Sequence, residues 1–203
     1  PRLVTEYALR FKLASVNEIA DSYDHNPNAD FHQLVSDMAK IPRSQAKVIN
    51  LGLFYGMGKA KLMAELGVSK TKADELFGIY HSKVPFVKQL TNKLMTAAQR
   101  NGKIKTILNR KCRFPKYEPV LKGNDWGKYI PPQDHERMLE LQAMGPYMKD
   151  EEGEFIIDKE GNKQKNYWHE NDSRRAFTYK ALNKLIQGSA ADMTKKAMLD
   201  LWK

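Results

Sequence analysis

Apolar positions recur along most of this chain at helical spacing. Between residues 2 and 13, Leu3, Val4, Tyr7, Ala8 and Phe11 fall three or four apart with no breaker, which predicts a helix. Residues 21–30 are rich in Asp, Asn, Ser and Pro and read as a loop. A short helical stretch opens at Asp30-Phe31-His32 and continues through Leu34, Val35 and Met38. Pro42 suits the first turn of the next helix, where its missing N–H has no bond to lose. In that helix, over 43–58, Arg43, Lys47, Leu51 and Tyr55 stand at every fourth position. With about 3.6 residues per turn they form one slowly drifting stripe. Ala46, Ile49, Leu53 and Phe54 form the side expected to be buried. Gly56 and Gly58 loosen the end of this helix.

Further along, 59–66 reads as a short helix capped by Gly67. Ser69 is placed to cap a helix over 70–81. Pro85 opens a long helix through Phe86, Leu90, Leu94 and Ala97, ended by Asn101-Gly102. Residues 103–108 and 112–114 read as a hairpin across Asn109-Arg110-Lys111. A helical patch is expected near 138–144, and a second hairpin pairing 155–157 with Tyr167-Trp168 around Glu160-Gly161-Asn162. Helical periodicity returns at Arg174-Arg175, with Tyr179, Asn183 and Gln187 four apart and a small-residue patch at 188–191. No internal repeat is evident at this level. The expected fold class is mainly α with small β-hairpins (α+β).

Charge divides the chain. Over 203 residues the formal net charge is +10, yet 121–172 holds 12 acidic against 7 basic residues. Basic chains bind nucleic acid or anionic membranes, although Lys-rich solvated faces account for the charge equally well. The acidic segment reads as an insertion that avoids an anionic ligand, its carboxylates solvated rather than metal-bound. The single Cys112 excludes an internal disulfide. No run approaches the roughly 18 apolar residues of a membrane span, and no secretory signal is visible, so a soluble intracellular protein is expected.

The stripe on 43–58 concentrates the candidate chemistry. Arg43 offers a planar fork for phosphate oxygens and Lys47 a mobile point charge one turn away. Phosphoryl transfer needs such charges where a leaving pyrophosphate becomes negative, but a solvated basic face has the same spacing. Tyr55 suits either a stacking surface for a base or the edge of a core. Gly52 and Gly56, costing of order 1 kcal/mol each inside a helix, mark close approach of a ligand, a moving joint or tight helix packing. His32 can add a hydrogen bond to phosphate or serve a structural role. Thr106, Arg110, Lys111 and Arg113 surround a hairpin tip, suited to tracking a nucleic-acid backbone or to a solvated turn. Asn183 and Gln187 present amides on one helix face, able to reach base edges or to make local helix contacts.

In order along the chain, these pieces resemble family A DNA polymerases. Arg43-x-x-x-Lys47-x-x-x-Leu51-x-x-x-Tyr55-Gly56 is similar to the family's motif B helix, and Asp30-Phe31-His32 to its Asp-x-His element. Gly102 to Pro115 resembles the family's Gly…Thr-x-x-x-Arg-Arg…Pro hairpin, and Asn183-x-x-x-Gln187-Gly188-Ser189-Ala190-Ala191-Asp192 its later Asn/Gln segment. Pro1-Arg2 resembles the tail of motif A, and the 11-residue spacing from His32 to Arg43 is closer to compact phage replicative enzymes than to bacterial repair enzymes.

The resemblance implies the fingers and adjoining palm segments of a right-hand polymerase. One polymerase-domain fragment would span 1–203. Within it, 1–33 ends the motif A region and 34–120 forms fingers with motif B at 43–58 and the hairpin at 102–115. The acidic insertion is 121–172, and 173–203 returns toward the palm. The implied activity is template-directed nucleotidyl transfer from dNTP to a primer 3′-OH, with pyrophosphate released, in viral DNA replication in the cytoplasm of an infected host. His32, Arg43, Lys47, Leu51 and Tyr55 would meet the dNTP, with Lys47 as general acid. Thr106, Arg110, Lys111, Asn183 and Gln187 would meet the primer–template. Two Mg²⁺ ions would be held mainly by aspartates outside these residues, so the 203 residues alone are expected not to extend a primer. A processivity factor is a conceivable partner.

Two other readings share parts of the pattern. Single-subunit RNA polymerases share Arg-x-x-x-Lys…Tyr-Gly, but the Asp-x-His element and the Gln-Gly-Ser-Ala-Ala-Asp run favour DNA polymerase. A non-catalytic helical nucleic-acid-binding module explains the charge but not the ordered motifs. Two residues depart from the resemblance. Tyr179 stands where many members have Arg. Leu51 replaces an aromatic ring beside the nucleotide sugar, which implies altered sugar discrimination. Leu51→Tyr in the full-length enzyme is expected to change the ratio of dideoxynucleotide to deoxynucleotide incorporation; equal ratios in both proteins would refute the role.

Overall fold

A computed structural model describes all residues except Pro1, Pro27, Tyr55, Gly56, Gly58 and Lys203, and the side chains of Met38 and Ala39. The described fold is mostly helical, with two small two-stranded sheets. No described helix is long and apolar enough to cross a membrane. Contacts divide the chain into two compact units: one of 1–97, 103–112 and 179–203, the other of 98–102 and 113–178. The second is wider than the acidic segment, because the strands that close it lie outside 121–172.

The first unit opens with α1 (Arg2–Arg10) and α2 (Asn17–His25). The second of these corrects the loop expected over 21–30. Val16 and Ile19 are buried, and that anchorage outweighs the weak helix propensity of the polar residues after them. α3 (Phe31–Ala39) begins at a true cap: the Asp30 side chain accepts from the backbone N–H groups of His32 and Gln33. α4 (Arg43–Phe54) starts just after Pro42, whose carbonyl accepts from the Ala46 N–H. Pro42 therefore occupies the cap and not the first turn. α5 (Lys59–Leu66) and α6 (Lys70–Lys83) follow, the latter capped by Ser69. Phe31, Val35, Ile49, Phe54, Leu62, Leu76 and Tyr80 form the core between α3, α4, α5 and α6. The α4 faces match the periodicity in outline: Ala46, Ile49 and Phe54 are buried, and Leu53 is half-buried.

α7 (Pro85–Asn101) leads into the hairpin of β1 (Lys103–Lys105) and β2 (Lys111–Arg113). Its strands are shorter than the sequence pattern implies, because Thr106 already belongs to the turn: its N–H donates to the Arg110 carbonyl and its Oγ1 accepts from the Arg110 N–H. α9 (Ala181–Leu201) later passes against this turn.

The second unit holds β3 (Tyr117–Pro119), α8 (His135–Ala143) and β4 (Ser173–Arg175), with β3 and β4 antiparallel. Arg174-Arg175 thus lies in a strand, and α9 starts only at Ala181. Met138, Leu141 and Trp168 make the core of this unit. The hairpin expected between 155–157 and Tyr167-Trp168 is corrected: Trp168 packs into this core, and 155–157 pairs elsewhere. Residues 163–165 take that place: Ile157 bridges Lys163, Lys149 bridges Phe155, and Tyr147 bridges Lys165. Three backbone hydrogen bonds close a triangle, from Met148 N to Gln164 O, Gln164 N to Ile156 O and Ile156 N to Met148 O, at 2.9, 2.8 and 3.0 Å. Its corners are eight residues apart, and Asp150-x-Glu-Gly and Asp158-x-Glu-Gly form the two turns between them. This short internal repeat corrects the expectation of none: it is carried by the turn residues and not by a hydrophobic period.

The hairpin turn docks on α9 through one carboxylate. Asp192 accepts from the Thr106 hydroxyl and from Arg110 Nε, the latter at 2.7 Å. Arg110 Nη2 also donates to the Gly188 carbonyl at 2.8 Å, and the Ile107 N–H donates to Ser189 Oγ at 3.1 Å. Close approach requires glycine at 188: a Cβ there would lie 2.8 Å from Thr106 Cγ2 and 3.0 Å from Arg110 Nη2. In Gly188→Ala the overpacking, about 1–3 kcal/mol, opposes a helix-propensity gain of about 1 kcal/mol. The full-length protein is expected to lose stability in denaturant melts and to regain it when Thr106→Ser removes the clashing methyl; a neutral or stabilised single variant would refute the packing.

Acid acts on the same contact. The Thr106 hydroxyl and the Arg110 guanidinium hold the Asp192 carboxyl below the usual carboxylate range. Its contribution is complete above the unfolded-state value of about 3.9 and is lost as pH falls through the lower folded value. The Ile107 amide NMR shift should report release of the turn in that acid window, and in Asp192→Asn at neutral pH.

Candidate functional site

The best-formed cluster of polar groups lies where α3 and α4 begin. Asp30 uses both oxygens. Oδ1 accepts from the His32 N–H at 2.9 Å, and Oδ2 accepts from Arg43 Nε at 2.7 Å. The Arg43 hydrogen bond is the main reason that the Asp30 carboxyl is held below its usual range. Arg43 remains exposed while tethered. On the next turn of α4, Lys47 is exposed and makes no ion pair among the described residues.

His32 is half-buried, and its ring packs edge-on to Phe31 at 6.4 Å. Asn50, fully buried on α4, places its amide nitrogen 3.0 Å from His32 Nδ1. Burial lowers the His32 pKa; Asp30 opposes this, while Arg43 and Lys47 reinforce it. A groove of about 660 Å³ runs past these groups, lined by Arg2, Tyr23, Asp30, His32, Arg43 and, from α9, Ala190. It combines a guanidinium, an imidazole and apolar wall, a chemistry suited to an anion attached to a flat or apolar group.

Of the nucleotide-site residues expected from sequence, His32 and Arg43 meet in this groove. Lys47 continues the stripe without lining the groove, and Leu51 is half-buried one turn further. Tyr55 lies outside the described residues. On the nucleic-acid side, Thr106 is buried and both Thr106 and Arg110 are engaged with Asp192, while Lys111 is exposed. Gln187 is exposed on α9, whereas Asn183 is half-buried with its Oδ1 unpaired among the described residues.

Two contributors were missed from sequence: Asp30 as the tether of Arg43, and Asn50 as the partner of His32. The available signal for Asn50 was a polar residue beside Ile49 on the face of α4 expected to be apolar. Among the described residues no group of three His, Cys, Asp or Glu side chains could hold a metal ion. Asp30 is already committed to a helix cap and to Arg43, so the residues present do not fit a two-metal site.

Comparison with known proteins bears on the family and the fold. The family model described as DNA polymerase family A matches residues 12–203. A DNA-directed DNA polymerase of Pseudomonas phage M6 is 29% identical, over 98% of this chain and 28% of its own length. DNA polymerase DpoZ of Acinetobacter phage SH-Ab 15497 is 30% identical, over 55% of this chain and 22% of its own. The chain therefore spans about a quarter of these relatives. In fold, it is similar to the POL domain of Pol1 from M. smegmatis, solved in complex with DNA primer-template and dNTP. The TM-score is 0.52 at 22% identity, covering 85% of this chain and 24% of that one. With its helical fold, its groove at the start of α3 and α4, and a family match over nearly its whole length, the chain belongs to DNA polymerase family A.

Proposed function

We propose that this chain is the fingers-side portion of a phage-type DNA polymerase, supplying contacts to the incoming dNTP and the primer–template. The observation that carries this reading is the cluster in which Asp30 tethers Arg43 beside His32, with Lys47 unpaired one turn along. Three groups able to meet negative oxygen thus lie near one groove, on a chain of the polymerase family. The proposed reaction is attack of a primer 3′-OH on the α-phosphorus of the dNTP: a new O–P bond forms, the hydroxyl proton passes to solvent, the α–β P–O bond breaks and pyrophosphate departs. Arg43 would bind the leaving phosphates, His32 would donate a hydrogen bond to them, and Lys47 would give a proton to the pyrophosphate. Leu51 would sit beside the sugar and Tyr55 on the template side.

Lys111 and the exposed half of Arg110 would contact the duplex backbone, with Thr106 acting through the turn that it holds. Asn183 and Gln187 would line the minor groove of the primer–template. The family's two-magnesium requirement and a role in viral replication inside the host cell are parts of the same proposal. The described residues offer no seat for the metals.

In the full-length enzyme, Lys47→Ala is expected to slow single-turnover incorporation by roughly 10²–10³-fold. Arg43→Ala should chiefly raise KM for dNTP. Unchanged rates in both variants would overturn the triphosphate reading, and primer-independent preference for ribonucleotides would replace DNA synthesis by RNA synthesis.

A further inference from the structure

We propose that Asn50 is a positioning residue that fixes the tautomer of His32, so that the neutral imidazole presents its Nε2–H to the phosphates of the nucleotide. The inference rests on the proposed contact between His32 and the triphosphate, and adds what makes that contact possible.

The amide nitrogen of Asn50 stands 3.0 Å from His32 Nδ1. An amide nitrogen can only donate, so Nδ1 must accept, and the single proton of a neutral ring then resides on Nε2. Nε2 has no hydrogen-bond partner among the described residues, and His32 lines the groove. The ring's protonation state makes this choice matter. Burial favours the neutral form, as do the charges of Arg43 and Lys47, against the opposing Asp30; Arg2 and Tyr23 border the same groove. An imidazolium could donate from either nitrogen, but a neutral ring has one N–H only. With that proton on Nδ1, the groove side would carry a lone pair and repel a phosphate oxygen.

Packing alone does not account for an asparagine here. Asn50 is fully buried among the apolar residues of α4, and its Oδ1 has no hydrogen-bond partner among the described residues. A leucine of similar size would fill the site without leaving a polar atom unpaired. The geometry therefore assigns Asn50 to the ring that it touches.

The test combines NMR of ¹⁵N-histidine-labelled full-length protein with kinetics. His32 is assigned by its disappearance in His32→Ala. In the native protein its Nε2 is expected to carry the proton and Nδ1 to be bare. Asn50→Leu should release the lock, giving mixed tautomers and raising KM for dNTP about tenfold near neutral pH. That defect should shrink as acid protonates both ring nitrogens, whereas a packing defect would be the same at every pH. Asn50→Asp should accept from Nδ1–H instead, raise the pKa of the ring, and shift the rise of KM to more alkaline pH.

A native ring protonated at Nδ1, or an Asn50→Leu protein with native tautomer and native KM, would overturn the proposal. If Asn50→Leu fails to fold, the native spectrum and Asn50→Asp decide. If His32→Ala leaves KM unchanged, the phosphate contact itself is wrong, while the NMR still decides whether Asn50 sets the tautomer.

Discussion

The two oxygens of Asp30 organise the groove where α3 and α4 begin. One satisfies backbone donors at the start of α3, and the other holds the guanidinium at the start of α4. A single carboxylate thereby fixes the relative position of two helix beginnings, and with them His32 and Arg43. The pairing also sets the electrical state of the groove. Arg43 is partly neutralised by its partner, so in the proposed site an anion would compete with Asp30 for it. Exposed pairs of this kind contribute little to stability; their value lies in orientation.

Asp192 does comparable work where the hairpin turn meets α9. It collects the hydroxyl of Thr106 and the guanidinium of Arg110, and the glycine at 188 admits the turn to contact distance. Residues that look from sequence like a row of groups facing a ligand are here divided between inward and outward tasks. Thr106 is consumed by the fold, Arg110 is shared, and Lys111 is left to solvent.

What the sequence disclosed follows from the range of the interactions involved. The α4 stripe was legible because its period is local, and the cap at Ser69 because it reaches only three residues. Helix α2 was not, since its stability comes from burying Val16 and Ile19 rather than from its own composition. The link from Arg110 to Asp192 spans 82 residues and that from Asn50 to His32 spans 18, distances at which no local pattern couples the partners. The triangle over 148–164 was missed for a different reason: its signal is the Asp-x-Glu-Gly pair eight residues apart, a turn repeat that a search for hydrophobic period passes over. The motif-based resemblance reached further than periodicity because it was carried by residue order over the whole chain. It placed His32 beside Arg43 but gave no hint of the buried amide behind them.

That triangle also bears on how an acidic, solvent-rich segment can be tolerated. Short strands usually leave a row of unpaired N–H and C=O groups along one side, and such a row invites pairing with another chain. Here each of the three segments bonds to both of the others, at Met148, Ile156 and Gln164. The ring closes on itself within eighteen residues. The backbone N–H and C=O of all three corner residues are spent inside it, so none of the three offers a pairing group to a neighbouring chain.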